Sequence, residues 1–512
     1  MFLFLFLFLF LFLGLVVVVV WPNLYSFSFF FSFYPFSSNF SSQLYWMASK
    51  DSGSKDNIDM NRLKEIMQPL RVAVSESPLS QIEPKPKQVW MQSSSLFDKV
   101  NEKDKNELLK LPEEMSREGL LLRRSVGSMM GMVVADALGA PFEFLPVRDW
   151  DMTRNKRPSN SQDPFFEYPK DRAGVHHNPF NTFELKPGQW TDDASMGFCM
   201  ADSLICKGQY DGANMRVWFW NWWSNGLNNA FRYDEQRKKA HAGFGGMSLS
   251  VGLGGNISKS LSEVSQFMRQ LKDIPPRCTL QNEDAGNGSI MRLAPIPIRY
   301  HTDVEKAMAM AYESSFTTHP GPLAAEACAF LSYLIVRCLH RKKGEEGQMS
   351  ARQFLDVVVG EYMMRLVDKE ERAKKVMWRL LRGEEKDSSN ERCWNWRKKD
   401  LGLAKTLRNR GHRYNGYPVS PGYFGSYSMD GLAMALHAIY HTNSFSEALV
   451  YIINMLGDCD STGSVVGQIA GAFYGIEGFD PAWLEDVRKW EKREGEMRAI
   501  MLFADGYLKE GE

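Results

Sequence analysis

Gly457-Asp458-Cys459-Asp460-Ser461-Thr462-Gly463 is the stretch on which the reading of this 512-residue chain turns. It sets two carboxylates and two hydroxyls directly before a run with helical character. In that run Gly463, Gly467, Gly471 and Gly475 recur every fourth residue and so share one helix face. Glycine weakens a helix interior unless packing compensates, so a bare face of this kind predicts a closely approaching helix. The acidic group admits two readings. One is an Asp/Ser N-cap on a buried helix. The other is a set of hard oxygen ligands for a divalent cation, in which case Asp458 and Asp460 need partners from elsewhere, because two carboxylates do not complete an octahedral shell.

Working outward, residues 117–140 read as a helix ending near Gly139, with Gly127, Gly131, Ala135 and Gly139 repeating the four-residue spacing. The two small-residue faces are expected to pack on each other near the centre of the core. Asp136 lies toward the C-terminal end of this helix, where a carboxylate opposes the macrodipole and requires a compensating partner. Glu143 follows in Pro141-Phe142-Glu143-Phe144. Farther on, Thr191-Asp192-Asp193 again places acidic and hydroxyl groups at a helix start. Taken with Asp458, Asp460 and Ser461 it supplies the missing ligands, and the metal reading moves ahead of the cap. Carboxylate and hydroxyl oxygens select Mg2+ or Mn2+ over Zn2+.

The segment Glu283 to Arg292 contains Asn287-Gly288, a turn signal whose glycines let backbone N–H groups approach an anion. Arg292 is suited to fork onto a phosphate, or to a structural salt bridge. Thr317-Thr318-His319-Pro320 opens an alanine-rich helix from Leu323 to Leu339. Tyr423, between Gly422 and Gly425 and before a helix at 429–440, could stack on a planar ring or simply pack. The tryptophans of 213–223 read as core, and the glycine-rich 243–255 lacks the lysine of a P-loop. Residues 149–189 read as a long loop that could cover a site, and 340–412 as solvent-exposed charged helices and a loop without chemistry. With no strand pair and no βαβ alternation after residue 103, the expected fold is all-α, a single large orthogonal helical bundle.

Composition is that of a globular protein, 44% hydrophobic and 24% charged, with 61 Lys+Arg balanced by 61 Asp+Glu. That balance gives no argument for nucleic acid or an anionic membrane as partner. Seven dispersed cysteines without metal-ligand spacing favour reduced thiols in a cytoplasmic compartment. Met1 to Trp21 is an unbroken apolar run without a basic flank before it. It reads as a membrane span or signal, which would open a membrane or secretory route, or as an untranslated leader with Met47 as the true start. The expected organisation is a hydrophobic leader at 1–46, a disordered polar linker at 47–102 and an all-α domain at 103–512.

The ordered blocks Ala135-Asp136-Ala137-Leu138-Gly139, Thr191-Asp192-Asp193, Gly286 to Arg292, Thr318-His319 and Gly457 to Gly463 resemble the ADP-ribosylglycohydrolase family, also called the dinitrogenase-reductase-activating glycohydrolase family, over about residues 120–480. The resemblance implies an all-α hydrolase holding two magnesium or manganese ions and removing ADP-ribose from a modified protein or small molecule. By position it implies Thr191, Asp192 and Asp193 as ligands from one side and Asp458, Asp460 and Ser461 from the other, with Asp460 as the bridge. Glu143, Asp193 and Asp460 are the implied catalytic carboxylates, Glu143 standing on what is a flexible loop in many members. Asn287, Gly288, Met291, Arg292 and His319 are the implied contacts to diphosphate and ribose, and Tyr423 is similar to an aromatic near the adenine. The chain departs from the pattern at Ser461, where many members have Thr, and at Ala135, which replaces a common Gly. The alternative is a catalytically silent ADP-ribose-binding or crystallin-like structural protein, against which the intact acidic set argues.

Overall fold

The computed structural model describes residues 60–84, 95–114, 117–149, 165–168, 174–242, 250–281, 285–341, 349–367, 369–384, 394–410, 413–414, 417–418 and 422–508. Its first helices are α1 (Met60–Ser75), α2 (Glu102–Glu114), α3 (Arg117–Gly139), α4 (Asp192–Lys207), α5 (Gly212–Asn225), α6 (Glu235–Ala242) and α7 (Gly255–Arg269). The middle of the chain forms α8 (Pro295–Arg299), α9 (Val304–Ser315), α10 (Pro322–Leu339), α11 (Ala351–Leu366), α12 (Arg372–Arg382) and α13 (Leu403–Arg410). The last part forms α14 (Ser428–His441), α15 (Phe445–Met455), α16 (Cys459–Tyr474), α17 (Pro481–Glu491) and α18 (Glu494–Leu508). Among the described residues the only strands are a two-residue antiparallel pair, Arg413–Tyr414 with Tyr417–Pro418. The architecture is all-α, as the sequence pattern indicates.

The two glycine faces do meet, and their contact is the most extensive between any two helices. A Cβ built on Gly127 would lie 2.3 Å from the Gly471 carbonyl oxygen, and one on Gly131 2.1 Å from that of Gly467. One on Gly139 would lie 2.6 Å from Asp460 Cα. Residue number rises along α3 as it falls along α16, so the pair is antiparallel, backbone on backbone. Hydroxyls cross the seam in both directions: Ser128 Oγ donates to Gln468 O (3.0 Å) and Ser464 Oγ to Met132 O (3.2 Å). Around this pair stand α10, α14 and α15 against α16, and α18 against α3. The tryptophan helix α5 is core as expected, with Trp218 and Trp222 fully buried.

Two expectations are corrected. Residues 60–84, placed in the linker, are folded: α1 buries Leu63, Ile66, Met67, Leu70 and Val74 on one face and packs on α2 and α18. Pro69 and the polar sequence on either side mask that period. The stretch 340–412 is not merely exposed. The inner faces of α11 and α12 bury Val358, Val359, Met377 and Leu381, and Trp394 and Trp396 are fully enclosed. The buried Asp430 of α14 accepts from Trp394 Nε1 (2.9 Å) and pairs with Arg410 (2.6 Å), tying the stretch to the core. The leader at 1–46 lies outside the described residues. The six described cysteines are free thiols.

Candidate active site

The antiparallel seam sets the C-terminal end of α3 beside the start of α16, and so Asp136 and Glu143 beside Asp458 and Asp460. Between α15 and α16 the chain reverses through Leu456 (φ 62°) and Gly457 (φ 72°). A side chain at 457 would lie 2.4 Å from the Phe424 carbonyl oxygen, so only glycine fits. Asp458 N donates to that same oxygen (2.8 Å).

A cap predicts that the Asp458 carboxylate accepts from the first backbone N–H groups of its helix, and it does not: Asp458 makes no side-chain capping bond. Its Oδ2 instead accepts from Asn287 Nδ2 (2.8 Å). Thr191, at the N-cap position of α4, likewise makes none. Helix α4 is capped in trans by Asp136, which accepts from Thr191 N (2.9 Å), Thr191 Oγ1 (2.8 Å) and Ala194 N (3.0 Å). This is the partner Asp136 requires: the positive end of α4 offsets the unfavourable end of α3. Asp136 belongs to the site, although the sequence marked it only by its awkward position and by its place in the first of the resembling blocks, and assigned it no role.

Carboxylate oxygens of Asp136, Asp193 and Asp460 lie within 4.8 Å of one another, as do those of Glu143, Asp458 and Asp460. Asp460 is common to both trios. Ser461 Oγ and Thr191 Oγ1 each lie 3.5 Å from Asp193 Oδ2, and Met291 Sδ lies 3.6 Å from Ser461 Oγ. Asp192 is buried from another side, where Gly252 (φ 89°) lies so close that a Cβ there would be 2.2 Å from Asp192 Oδ1.

Burial raises each of these acids above its ordinary value, and at Asp192, Asp193, Asp460 and Glu143 repulsion from neighbouring acids adds to it. Asp193 is held well up by burial, then by Asp136 and Asp460. Asp460 is raised by burial, then by Asp458 and Asp136, and Glu143 by burial, then by Asp460 and Asp458. Asp192 rises through burial and Asp136. Asp136, eased by the amide of Ala194 and the Thr191 hydroxyl, reaches only about 6. Asp458 rises by burial against its hydrogen bonds. Asp193 Oδ1 and Glu143 Oε2 are buried without a hydrogen-bond partner. Clustered acids with unused oxygens and an all-oxygen donor set fit a hard divalent cation.

The loop at 285–287 pairs with 426–428 through Ser428 N to Ala285 O and Asn287 N to Ser426 O, both 2.8 Å. Gln468 of α16 donates to Ile290 O (3.0 Å) and Met291 O (2.7 Å), so the same helix that carries Asp460 holds this loop. Gly288 is tight against His319: a Cβ there would meet His319 Cε1 at 3.0 Å. The His319 ring is kept neutral, its pKa lowered to about 3 by burial and by Arg292, and its Nδ1 lies 2.8 Å from Thr318 Oγ1.

Arg292 is the correction. It is fully buried, donates to Thr317 (3.2 Å) and Thr318 (2.7 Å), and lies over the Phe219 ring (4.4 Å). Its Nη2 is committed to the two threonines, Thr318 in turn lying 2.8 Å from His319 Nδ1, and its Nε is buried without a partner, so the group is held in the core in support of His319 and does not fork onto a phosphate. Tyr423 stands at the acidic end, with its hydroxyl 3.4 Å from Glu143 Oε1 and its ring stacked on Phe144. The Glu143 turn is pinned: Leu145 bridges to Gly457, and Arg148 N donates to Met455 O (2.9 Å).

The sequence profile of a family described as ADP-ribosylglycohydrolase matches residues 117–510. The chain is similar to the ADP-ribosylarginine hydrolase Tri1 of Pseudomonas putida, 26% identical over 72% of this chain and 74% of that protein. It is also similar to the ADP-ribosyl-(dinitrogen reductase) glycohydrolase of Rhodospirillum rubrum, 23% identical over 72% of this chain and 92% of that protein. The ADP-ribosylhydrolase ARH3 of Gallus gallus is 22% identical over 72% of this chain and 89% of its own length.

Proposed function

Because the chain belongs to the ADP-ribosylglycohydrolase family, we propose that its acidic cluster holds two divalent cations, Mg2+ or Mn2+, and cleaves the glycosidic bond between ADP-ribose and an acceptor on a protein or small molecule. Glycosidic-bond hydrolysis is the activity of the family. The finer reading rests above all on one observation, that Asp460 belongs to both carboxylate trios. Asp193 with Asp136 would face one cation and Asp458 with Glu143 the other, with Asp460 between. Thr191, Asp192 and Ser461 would complete the oxygen set. Bound there, the cations supply Lewis acidity and a positive template for the ribose hydroxyls.

The chain's own residues do the rest. Asn287 fixes the rotamer of Asp458 through its 2.8 Å bond, and Asp136 fixes Thr191. Glu143, with Oε2 unpartnered and its basicity raised by burial among acids, accepts the proton of the attacking water. The backbone N–H groups of Gly286 and Gly288, backed by His319, face the diphosphate, that of Asn287 being taken by Ser426 O.

The test is release of ADP-ribose from singly modified arginine and serine peptides by the purified protein. Release is expected with Mg2+ or Mn2+ and none after chelation, with a rise in Tm when the cation is restored. ADP-ribose binding without turnover on any substrate with either cation would leave only the silent alternative. A second expectation concerns Gly252. Gly252→Ala would displace the Asp192 carboxylate and strain the backbone, lowering cation affinity about 10- to 100-fold with little loss of fold. Calorimetric titration with Mn2+ reads this directly, and unchanged affinity would remove Asp192 from the ligand set.

A further inference from the structure

Arg292, Thr318 and His319 form a buried chain of hydrogen bonds that runs in one direction. A guanidinium has only N–H groups to offer, so Arg292 Nη2 donates to Thr318 Oγ1 (2.7 Å), as it does to Thr317 Oγ1 (3.2 Å). Thr317 passes its own hydroxyl proton to Ser314 O (2.6 Å). The Thr318 hydroxyl is fully buried, and among the described residues its other partner is His319 Nδ1 (2.8 Å). If Nδ1 carried the ring proton it would donate to Thr318 Oγ1, and the threonine's proton would be left buried without an acceptor. If the threonine donates, Nδ1 accepts and every proton in the chain is placed. A second ring proton is opposed by burial and by the charge of Arg292. The neutral ring therefore carries its proton on Nε2.

Among the described residues Nε2 makes no hydrogen bond. It borders the space that the missing side chains of two glycines leave open. A Cβ on Gly286 would lie 3.2 Å from His319 Nε2 and 3.3 Å from Asn256 Nδ2, and one on Gly288 3.4 Å from the same ring nitrogen. Resting on the hydrolase reading above, we infer that Thr318, its hydroxyl oriented by Arg292, is a positioning residue that locks His319 in the Nε2–H form, so that the ring donates to an anionic oxygen of the diphosphate facing Gly286 and Gly288. The opposite tautomer would turn a nitrogen lone pair on that oxygen and repel it. The bond from Arg292 claims an oxygen lone pair of Thr318 and so leaves the hydroxyl proton pointing at the ring. The arginine's charge stays in the core over Phe219, two groups from the ligand, and what it transmits is an orientation. That gives Arg292 a part in recognition without a contact to what is recognised.

Two measurements test this on the purified protein. Imidazole nitrogen spectra of protein with isotope-labelled histidine report the tautomer, the His319 signals being assigned by their loss in His319→Asn. The wild type is expected to show Nδ1 as a bare, pyridine-type nitrogen and Nε2 as the protonated one. Calorimetric titration with ADP-ribose in Mg2+ reads the consequence. Thr318→Val removes the hydroxyl at nearly constant volume; the two tautomers are expected to mix, and ADP-ribose affinity to fall by about 5- to 30-fold. Thr318→Ser keeps the hydroxyl and is expected to return both the spectrum and the affinity. Mn2+ affinity measured without ADP-ribose is expected to be the same in all three proteins. A bare Nε2 in the wild type, unchanged ADP-ribose affinity in Thr318→Val, or an equal fall in its Mn2+ affinity overturns the inference and leaves the hydrolase reading standing. A wild type that does not bind ADP-ribose overturns that reading, and this one with it.

Discussion

Asp460→Asn is expected to lower turnover by at least about a thousandfold while leaving the protein folded. The substitution removes a charge from the one carboxylate common to both trios and puts an amide nitrogen where an oxygen would ligate. The fold survives because Asn retains an Oδ1 to accept from Ser461 N, the 2.8 Å bond that Asp460 makes in the native protein. Removing a charge from a buried cluster held above the usual carboxylate range relieves repulsion, so the metal-free variant should melt no lower than the metal-free wild type. The response to Mg2+ should vanish. A cap at this position predicts the opposite, since Asn caps about as well as Asp. Parallel melting curves and hydrolysis assays, each with and without Mg2+, separate the two. Retained turnover with an unchanged Mg2+ response would end the metal reading.

Gly131→Val carries the largest expected effect on stability. Its Cβ would sit 2.1 Å from the backbone carbonyl of Gly467, an atom that no rotamer change can move aside. The helices must separate, and the loss is expected to be at least about 3 kcal/mol, beyond the usual cost of overpacking. Gly463→Ala is the matched contrast: its Cβ would find its nearest neighbour at 3.6 Å, an ordinary contact. It should be neutral or stabilise by up to about 1 kcal/mol, because alanine is the better helix former. Urea denaturation of both variants tests this. Equal stability would mean that the backbone contact does not hold the two helices together.

Much of this was legible because it is local or periodic. The four-residue small-side-chain spacing in two separate segments announced a helix pair, and Thr191 to Asp193 with Asp458 to Ser461 announced the acidic centre. What the chain did not disclose depends on residues far apart in sequence. Whether Arg292 reaches substrate or support is decided by Phe219 on α5 and by Thr317 and Thr318 in the turn after α9, which claim it. That Asp136 caps a helix beginning at residue 192 cannot be seen until α3 and α4 are juxtaposed. The packing of α1 was hidden by a proline within its apolar period, and that of 340–412 by its charge, although Trp394 and Trp396 were visible as residues that rarely face water.

The antiparallel glycine seam also determines how this centre can be altered. Where side chains separate two helices, their spacing can be tuned by exchanging one residue for a slightly larger or smaller one. Here, at Gly127–Gly471 and Gly131–Gly467, backbone lies directly on backbone, with no side chain between them to exchange. The distance between the two acid-bearing segments is thus a dimension of the polypeptide itself, and it withstands changes at the periphery. A redesign for another cation or another acceptor would have to leave α3 and α16 alone. It would work from the rim, through the turn at 143–145, the approach of Gly252 and the loop at 422–427.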